Sequence, residues 1–153
     1  MSLVDTEPLQ RVERELGLLL RRAHSSAATM AHRVHPDLDP GAYPILARIA
    51  QVPGIRASEI AEHIGVGRGT MSRQLARLED LGLITRTTDP DDSRGQLIHL
   101  TEGGETRVAD ARGARGRFLR TALDAWSHDE LDALAAQLTR LNTDLDEARR
   151  RVG

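Results

Sequence analysis

The chain has 153 residues, of which 29% are charged and 2% aromatic, with a formal net charge of −2 and no cysteine. That length suits one domain of ordinary size with a real core, and the missing cysteines exclude disulfides, thiol catalysis, thiol redox sensing and Cys-ligated zinc. Near-neutral charge gives no global attraction for a polyanion, so any nucleic-acid partner has to be read from local clustering.

With so few aromatic residues the core must be built from Leu, Ile, Val and Ala, which at this charge density favours helices over a sandwich. All 21 basic residues are arginine, a composition bias that lowers what any single arginine says. The start, "MSLVDTEPLQ", has no basic region followed by an apolar run, and no stretch of about 18 apolar residues occurs anywhere. The expectation is a soluble, cytoplasmic protein with no membrane partner.

A long helix is predicted from a capping Thr6 to His35, with Pro8 in its first turn and Leu9, Val12, Leu16, Leu19 and Leu20 at helical spacing. Pro36 stops it, and a helix of this length asks for a partner surface. His24, His32 and His35 share one side of it, as surface or dimer-interface residues rather than ligands: neither a metal nor a cofactor is expected. A short helix follows over 41–51, ended by Pro53-Gly54. Ser58 reads as the N-cap of the next, whose Ile60, Ala61 and Ile64 point inward, and Gly65 supplies a turn. Helix, glycine turn and helix form the helix-turn-helix signature.

The second helix of that pair lies in "GVGRGTMSRQLARLEDLGLI". At about 100° per residue Met71, Leu75 and Leu78 gather on one side, Arg73 falls nearly opposite, and Gly69 and Arg77 lie near it. Thr70 and Ser72 flank this side, with Arg68 at the start. Small, hydroxylic and arginine residues on the first turns suit insertion in a DNA major groove. Taken alone, the same pattern fits a solvated charged face better. Basic residues at the positive end of the helix dipole, with Glu79 and Asp80 at the far end, shift the balance, because nearby phosphate would reverse an otherwise unfavourable arrangement.

Beyond Gly82 the pattern changes to two short strands, "LITRTT" and "QLIHL", around the loop "DPDDSRG". A hairpin directly after a helix-turn-helix is a wing. Arg94 near its tip can enter a narrow minor groove, and a neighbouring aspartate such as Asp92 can hold the guanidinium in a bidentate pair. Thr101 caps a further helix over 102–126. Ser127 and Glu130 form a capping box that opens a last helix, where Leu131, Leu134, Leu138, Leu141 and Leu145 make a 3,4,3,4 seam.

The run from Ile45 to Gly104 closely resembles the winged helix of the MarR family of bacterial transcription regulators. "LEDLGLITRTTDPDDSRG" and "HLTEGG" match its Leu-Glu-x-x-Gly-Leu-[Ile/Val]-x-Arg, Asp-x-Arg wing and Leu-Thr-x-x-Gly stretches, and the flanking helices agree in order. The resemblance implies a mainly α fold with a small β-wing. Its parts are an N-terminal dimerisation helix (1–40), a winged helix-turn-helix lobe (41–104) and C-terminal dimerisation helices (105–153), one compact domain in all. It implies a homodimer on double-stranded, pseudo-palindromic DNA. Arg68, Gly69, Thr70, Ser72 and Arg73 would face the major groove and Arg94 the minor groove; Ser58 would be a phosphate contact and Arg77 a phosphate contact or plain surface. It also implies a small anionic aromatic or phenolic ligand in a cleft, for which Tyr43 and the arginines of "RVADARGARGRFLR", Arg112 and Arg115, are candidates. A solvated basic helix explains those arginines equally well.

No nucleophile elbow, phosphate-cradling Gly loop after a strand or HExxH is present, and the wing-tip carboxylates sit on a loop, so an enzyme is not expected. The expected function is a transcription regulator, a repressor released by ligand. The alternative is a helical protein-interaction module of the same fold without specific DNA binding.

Overall fold

The computed structural model describes residues 6–152. The chain divides into two compact units, Met1–Arg115 and Gly116–Gly153, the division falling inside the helix that follows the wing.

In the first unit, α1 spans Thr6–Val34, one residue short of the predicted end, because the His35 amide already closes the last turn on the Ala31 carbonyl and Pro36 follows. The expected cap rests on the Thr6 side chain, which with residues 1–5 lies outside what the structure describes. The C-terminal end of α1 enters the core through Met30, Ala31 and Val34, whereas Leu9, Val12, Leu19 and Leu20 are exposed. Next, α2 (Ala42–Gln51) buries Ala42, Tyr43, Ile45, Leu46 and Ile49, the stripe of an amphipathic helix.

Ile55–Arg56 forms a two-residue strand, β1, which the sequence pattern did not predict. It brings an extended backbone up to Arg56, so α3 (Ala57–Ile64) begins earlier than expected. Arg56, not Ser58, is the N-cap; Ser58 is the second helical residue, and Glu59 accepts the Arg56 backbone N–H at 3.0 Å. Gly65, with φ 80°, ends α3 in the left-handed conformation that a residue without Cβ adopts freely. Then α4 (Arg68–Asp80) starts from Gly67, which offers no side-chain cap, and buries Met71, Leu75 and Leu78.

The "LEDLGL" stop is a left-handed glycine cap: Gly82 has φ 72°, its N–H bonds the Glu79 carbonyl and the Leu83 N–H bonds the Leu78 carbonyl. The wing follows as β2 (Ile84–Asp89) and β3 (Asp92–Leu100), in a three-stranded antiparallel sheet of order β1-β3-β2. Its strands run further than predicted. Pairing continues through Thr88↔Gln96, shifts register and ends at Asp89↔Asp92, leaving Pro90-Asp91 as the turn in place of a seven-residue loop. The partner of β1 is also β3, with Ile55 opposite Ile98 and Arg56 opposite Leu97.

Helix α5 (Glu102–Ala122) is capped by Thr101 as expected, its Oγ1 accepting the Gly104 N–H at 2.9 Å. It ends four residues before the predicted Trp126, where backbone bonds from Leu123 to Leu119 and from Trp126 to Leu123 turn the chain. In the second unit, α6 (His128–Val152) opens on the predicted capping box: Ser127 N–H donates to Glu130 at 2.8 Å and Glu130 N–H to Ser127 Oγ at 3.2 Å. Its leucine seam stands out of any core, since no α6 residue is buried. No described helix is long and apolar enough to cross a membrane.

Candidate nucleic-acid interface

The helix-turn-helix is held from beneath by Ile60, Met71, Leu75, Leu78, Leu83, Ile84 and Ile98, all buried in the core. Burial of Met71, Leu75 and Leu78 fixes the rotation of α4 about its axis. Arg68, Gly69, Thr70, Ser72, Arg73 and Arg77 are therefore all exposed.

Two concave surfaces gather part of this set with the wing. A cavity of about 200 Å³ between α3, α4 and the sheet is lined by Ser58, Arg68 and Ser72 together with Arg86 and Gln96. A neighbouring one of about 450 Å³ joins Arg56, Ser58 and Arg68 to Asp92, Ser93 and Arg94 of the wing. Ser58 and Arg68 line both, Ser72 the first, and Asp92 and Arg94 the second. Gly69, Thr70, Arg73 and Arg77 line neither and are exposed on α4.

The electrostatics of this surface are uneven. Among the described residues Arg68, Arg73, Arg77 and Arg94 have no carboxylate partner, whereas Arg86 pairs with Glu79 at 2.5 Å and Arg56 with Asp89 at 2.6 Å. These four arginines stand unpaired and exposed on α4 and β3, so the positive charge of the lobe is a matter of placement and not of its total.

The wing is braced differently from the expected arrangement. Asp92 accepts the backbone N–H of Arg94 at 3.0 Å and does not hold its guanidinium; Arg94 sits on β3 and its side chain is left free. The reason is local: at the start of β3 the Asp92 side chain turns back on its own backbone and takes the N–H two residues on, as short polar side chains do in turns. The buried wing carboxylate is instead Asp89, 3% exposed, which takes the Asp91 N–H at 2.9 Å and Arg56 Nε at 2.6 Å. The Asp91 amide first, and the Arg56 guanidinium after it, hold the Asp89 carboxyl below the ordinary carboxylate range against the opposing effect of burial; the same bond raises Arg56. A depressed folded-state value means that Asp89 stabilises the fold at pH above about 4, the unfolded value, and that this contribution is lost as pH falls through the lower folded value. The protection factors of the β2 and β3 amides, taken against the intrinsic exchange rate at each pH, are accordingly expected to fall below about pH 4, and Asp89→Asn to remove that acid step; an acid profile identical in the variant would refute the assignment.

Sequence reasoning missed Arg56, Arg86 and Gln96. Arg86 was readable in part, since alternation along "ITRTTD" puts it on the face opposite Thr85 and Thr87. Arg56 carried no local signal, because its partner lies 33 residues away.

The candidate ligand residues separate. Tyr43 and Arg115 line one cavity of about 330 Å³, with Met30, Arg48 and His63. Arg112 lines another, of about 210 Å³, with His99 and Glu105. The Nε of Arg48 is buried without a hydrogen-bond partner among the described residues. Of the histidines weighed as ligands, His35 accepts the Asp37 N–H through Nδ1 at 3.1 Å. No group of three or more His, Asp or Glu able to hold a metal occurs among the described residues.

Residues 37–95 match the model of the MarR family. HTH-type transcriptional regulator YxaD of Bacillus subtilis (strain 168), itself uncharacterized, is 29% identical over 135 residues, 88% of this chain and 93% of that protein. Among solved structures, the transcriptional regulator SlyA is 30% identical with a TM-score of 0.78, over 93% of this chain and 99% of that one. The transcriptional repressor CouR, bound to a 23-mer DNA duplex, is 25% identical with a TM-score of 0.72, again over 93% and 99%.

Proposed function

Since the chain belongs to the MarR family of winged-helix transcription regulators, we propose that it is a homodimeric DNA-binding repressor of nearby genes, released by a small anionic aromatic ligand. It is a transcription regulator and not an enzyme. The observation that carries the proposal is the face of α4. Core burial of Met71, Leu75 and Leu78 turns Arg68, Gly69, Thr70, Ser72 and Arg73 outward with no carboxylate partner among the described residues, beside a groove that ends at Arg94. In this reading Arg68, Arg73 and the small residues between them face the major groove, Arg94 enters the minor groove, and Ser58 and Arg77 meet phosphates. CouR, bound to a duplex, supports the same partner here.

Dimerisation accounts for the apolar surface that the chain leaves uncovered. On α6, Leu134, Leu138 and Leu145 are exposed, as are Leu9, Val12, Leu19 and Leu20 on α1. Phe118 and Trp126, two of the three aromatic side chains, are exposed as well. A second copy burying these helices would cover the exposed apolar side chains of each, and two-fold symmetry would then dictate a pseudo-palindromic operator with half-sites about one helical turn apart.

For the ligand, the cavity of Tyr43, Arg48 and Arg115 is the better site. At about 330 Å³ it lies within the range of small-molecule pockets, and a carboxylate there could meet the unpaired Arg48 Nε. Arg112 lies outside it.

The test is anisotropy titration of the full chain on its own upstream intergenic DNA across a salt series. Steep weakening with salt and preference over unrelated duplex are expected, together with a dimer mass in light scattering at micromolar concentration. Salt-insensitive or sequence-indifferent binding would instead support an interaction module of the same fold.

A further inference from the structure

Arg56 occupies the joint between β1 and α3, one edge of its guanidinium facing inward and the other outward. Inward, Nε donates to Asp89 Oδ2 at 2.6 Å, while Asp89 Oδ1 is occupied by the Asp91 N–H, so this buried carboxylate ties the start of α3 to the turn of the wing. Outward, the two terminal nitrogens make no hydrogen bond to any described residue. The side chain is 47% exposed against 2% for Asp89, and it lines the cavity of about 450 Å³ that also takes Ser58, Arg68 and Arg94.

Asp92 is the one acid that lines this cavity, and its Oδ1 takes the Arg94 N–H; Asp89 lies behind Arg56 and is used as described. Three arginines, Arg56, Arg68 and Arg94, thus face the groove against the single carboxylate of Asp92, with one guanidinium already anchored. An arginine whose Nε is held by a carboxylate still has a planar fork of donors to offer, and it loses less side-chain freedom on binding an anion than an unanchored one.

We propose that Arg56 is a DNA-phosphate contact, held by Asp89 so that its terminal nitrogens grip the backbone phosphate that crosses between α4 and the wing. This rests on the reading of the lobe as DNA-binding. The same pair then has two roles: it braces the wing turn from inside and presents a fixed cation between Arg68 and Arg94.

The experiment compares salt-dependent anisotropy titrations of three full-length chains on the upstream duplex: wild type, Arg56→Gln/Asp89→Asn and Arg56→Lys. The double variant keeps the local charge sum, and the amide oxygen introduced by Asp89→Asn can still accept the Asp91 N–H, so general electrostatics and turn geometry are preserved. It is expected to bind at least fivefold more weakly near 0.15 M salt, with a log–log salt slope shallower by about 0.9, the share of one neutralised phosphate. Arg56→Lys keeps a cation at the site and is expected to keep the wild-type slope. Wild-type affinity and slope in the double variant would overturn the proposal, as would weaker binding with an unchanged slope, which marks a purely structural tie. An equal change of slope in the double variant and in Arg56→Lys, with either melting well below wild type, would point to a displaced wing and overturn it too. Absence of salt-dependent binding by the wild type would be a different failure, that of the DNA reading itself.

Discussion

Replacing Arg73 with alanine is expected to weaken binding to the upstream duplex by about 10- to 100-fold, or about 1.4–2.7 kcal/mol, within the range for one arginine engaged with a base edge. Arg73 is exposed on the side of α4 opposite Met71, Leu75 and Leu78, and among the described residues it has no ion-pair partner whose loss could confuse the result. Its truncation should therefore leave thermal stability within about 0.5 kcal/mol, as surface substitutions do, so any loss of affinity belongs to the interface. Arg94→Ala should give a loss of the same order, with a different signature. Its backbone N–H is bonded to Asp92 and survives the substitution, while its side chain would have read groove width, so discrimination should fall at A·T-rich positions. Arg77→Ala, one turn further along α4, is expected to lower affinity equally for specific and unrelated duplexes if it meets phosphate. If neither Arg73→Ala nor Arg94→Ala weakens binding tenfold, the assigned faces are wrong.

What could be read in advance follows from how far apart the interacting residues stand in the chain. The caps at Thr101 and at Ser127 with Glu130 join groups three residues apart, and the rotation of α4 follows from an apolar repeat within thirteen residues. Both are local and therefore legible. Strand β1 is only two residues long and exists because Ile55 and Arg56 find Ile98 and Leu97, a pairing that leaves no periodicity. That strand also moves the start of α3 and takes the capping role from Ser58. The aspartate that matters to the wing escapes a sequence reading for the same reason: which carboxylate of "DPDD" turns inward depends on the register of β2 against β3. Arg112 and Arg115 could not be told apart by sequence. They lie one turn apart on α5, yet the first lines a cavity with Ile49 and Ala50 of α2 and the second a different one with Tyr43, Ala47 and Arg48.

The neighbouring glycines of "LTEGG" should respond to alanine with opposite sign, which gives the Leu-Thr-x-x-Gly stretch a physical meaning. Alanine in place of a helical glycine is worth up to about 1 kcal/mol in backbone entropy and propensity. At Gly103 nothing opposes this gain: an added Cβ would meet only Thr101 Oγ1, at 3.9 Å. Gly104 is buried, and there the same Cβ would collide with the Leu83 carbonyl oxygen and crowd Thr101 Oγ1 at 3.2 Å. Neither neighbour can give way cheaply. The Leu83 carbonyl accepts the Thr101 N–H at 3.0 Å, and Thr101 Oγ1 accepts the Gly104 N–H while donating to the Gly82 carbonyl at 2.7 Å. Through these bonds the left-handed cap of α4, the start of β2 and the first turn of α5 meet on one threonine. Gly104→Ala must therefore push α5 away from that junction. The expected net cost is about 2–3 kcal/mol, the usual scale of overpacking, or about 5–10 °C in melting temperature for a chain of this size. Gly103→Ala should melt at or slightly above wild type. Because the displaced junction also positions α4 and the wing, Gly104→Ala should weaken DNA binding although it lies on neither α4 nor the wing hairpin. Equal melting temperatures for the two variants would show that α5 does not need the close approach.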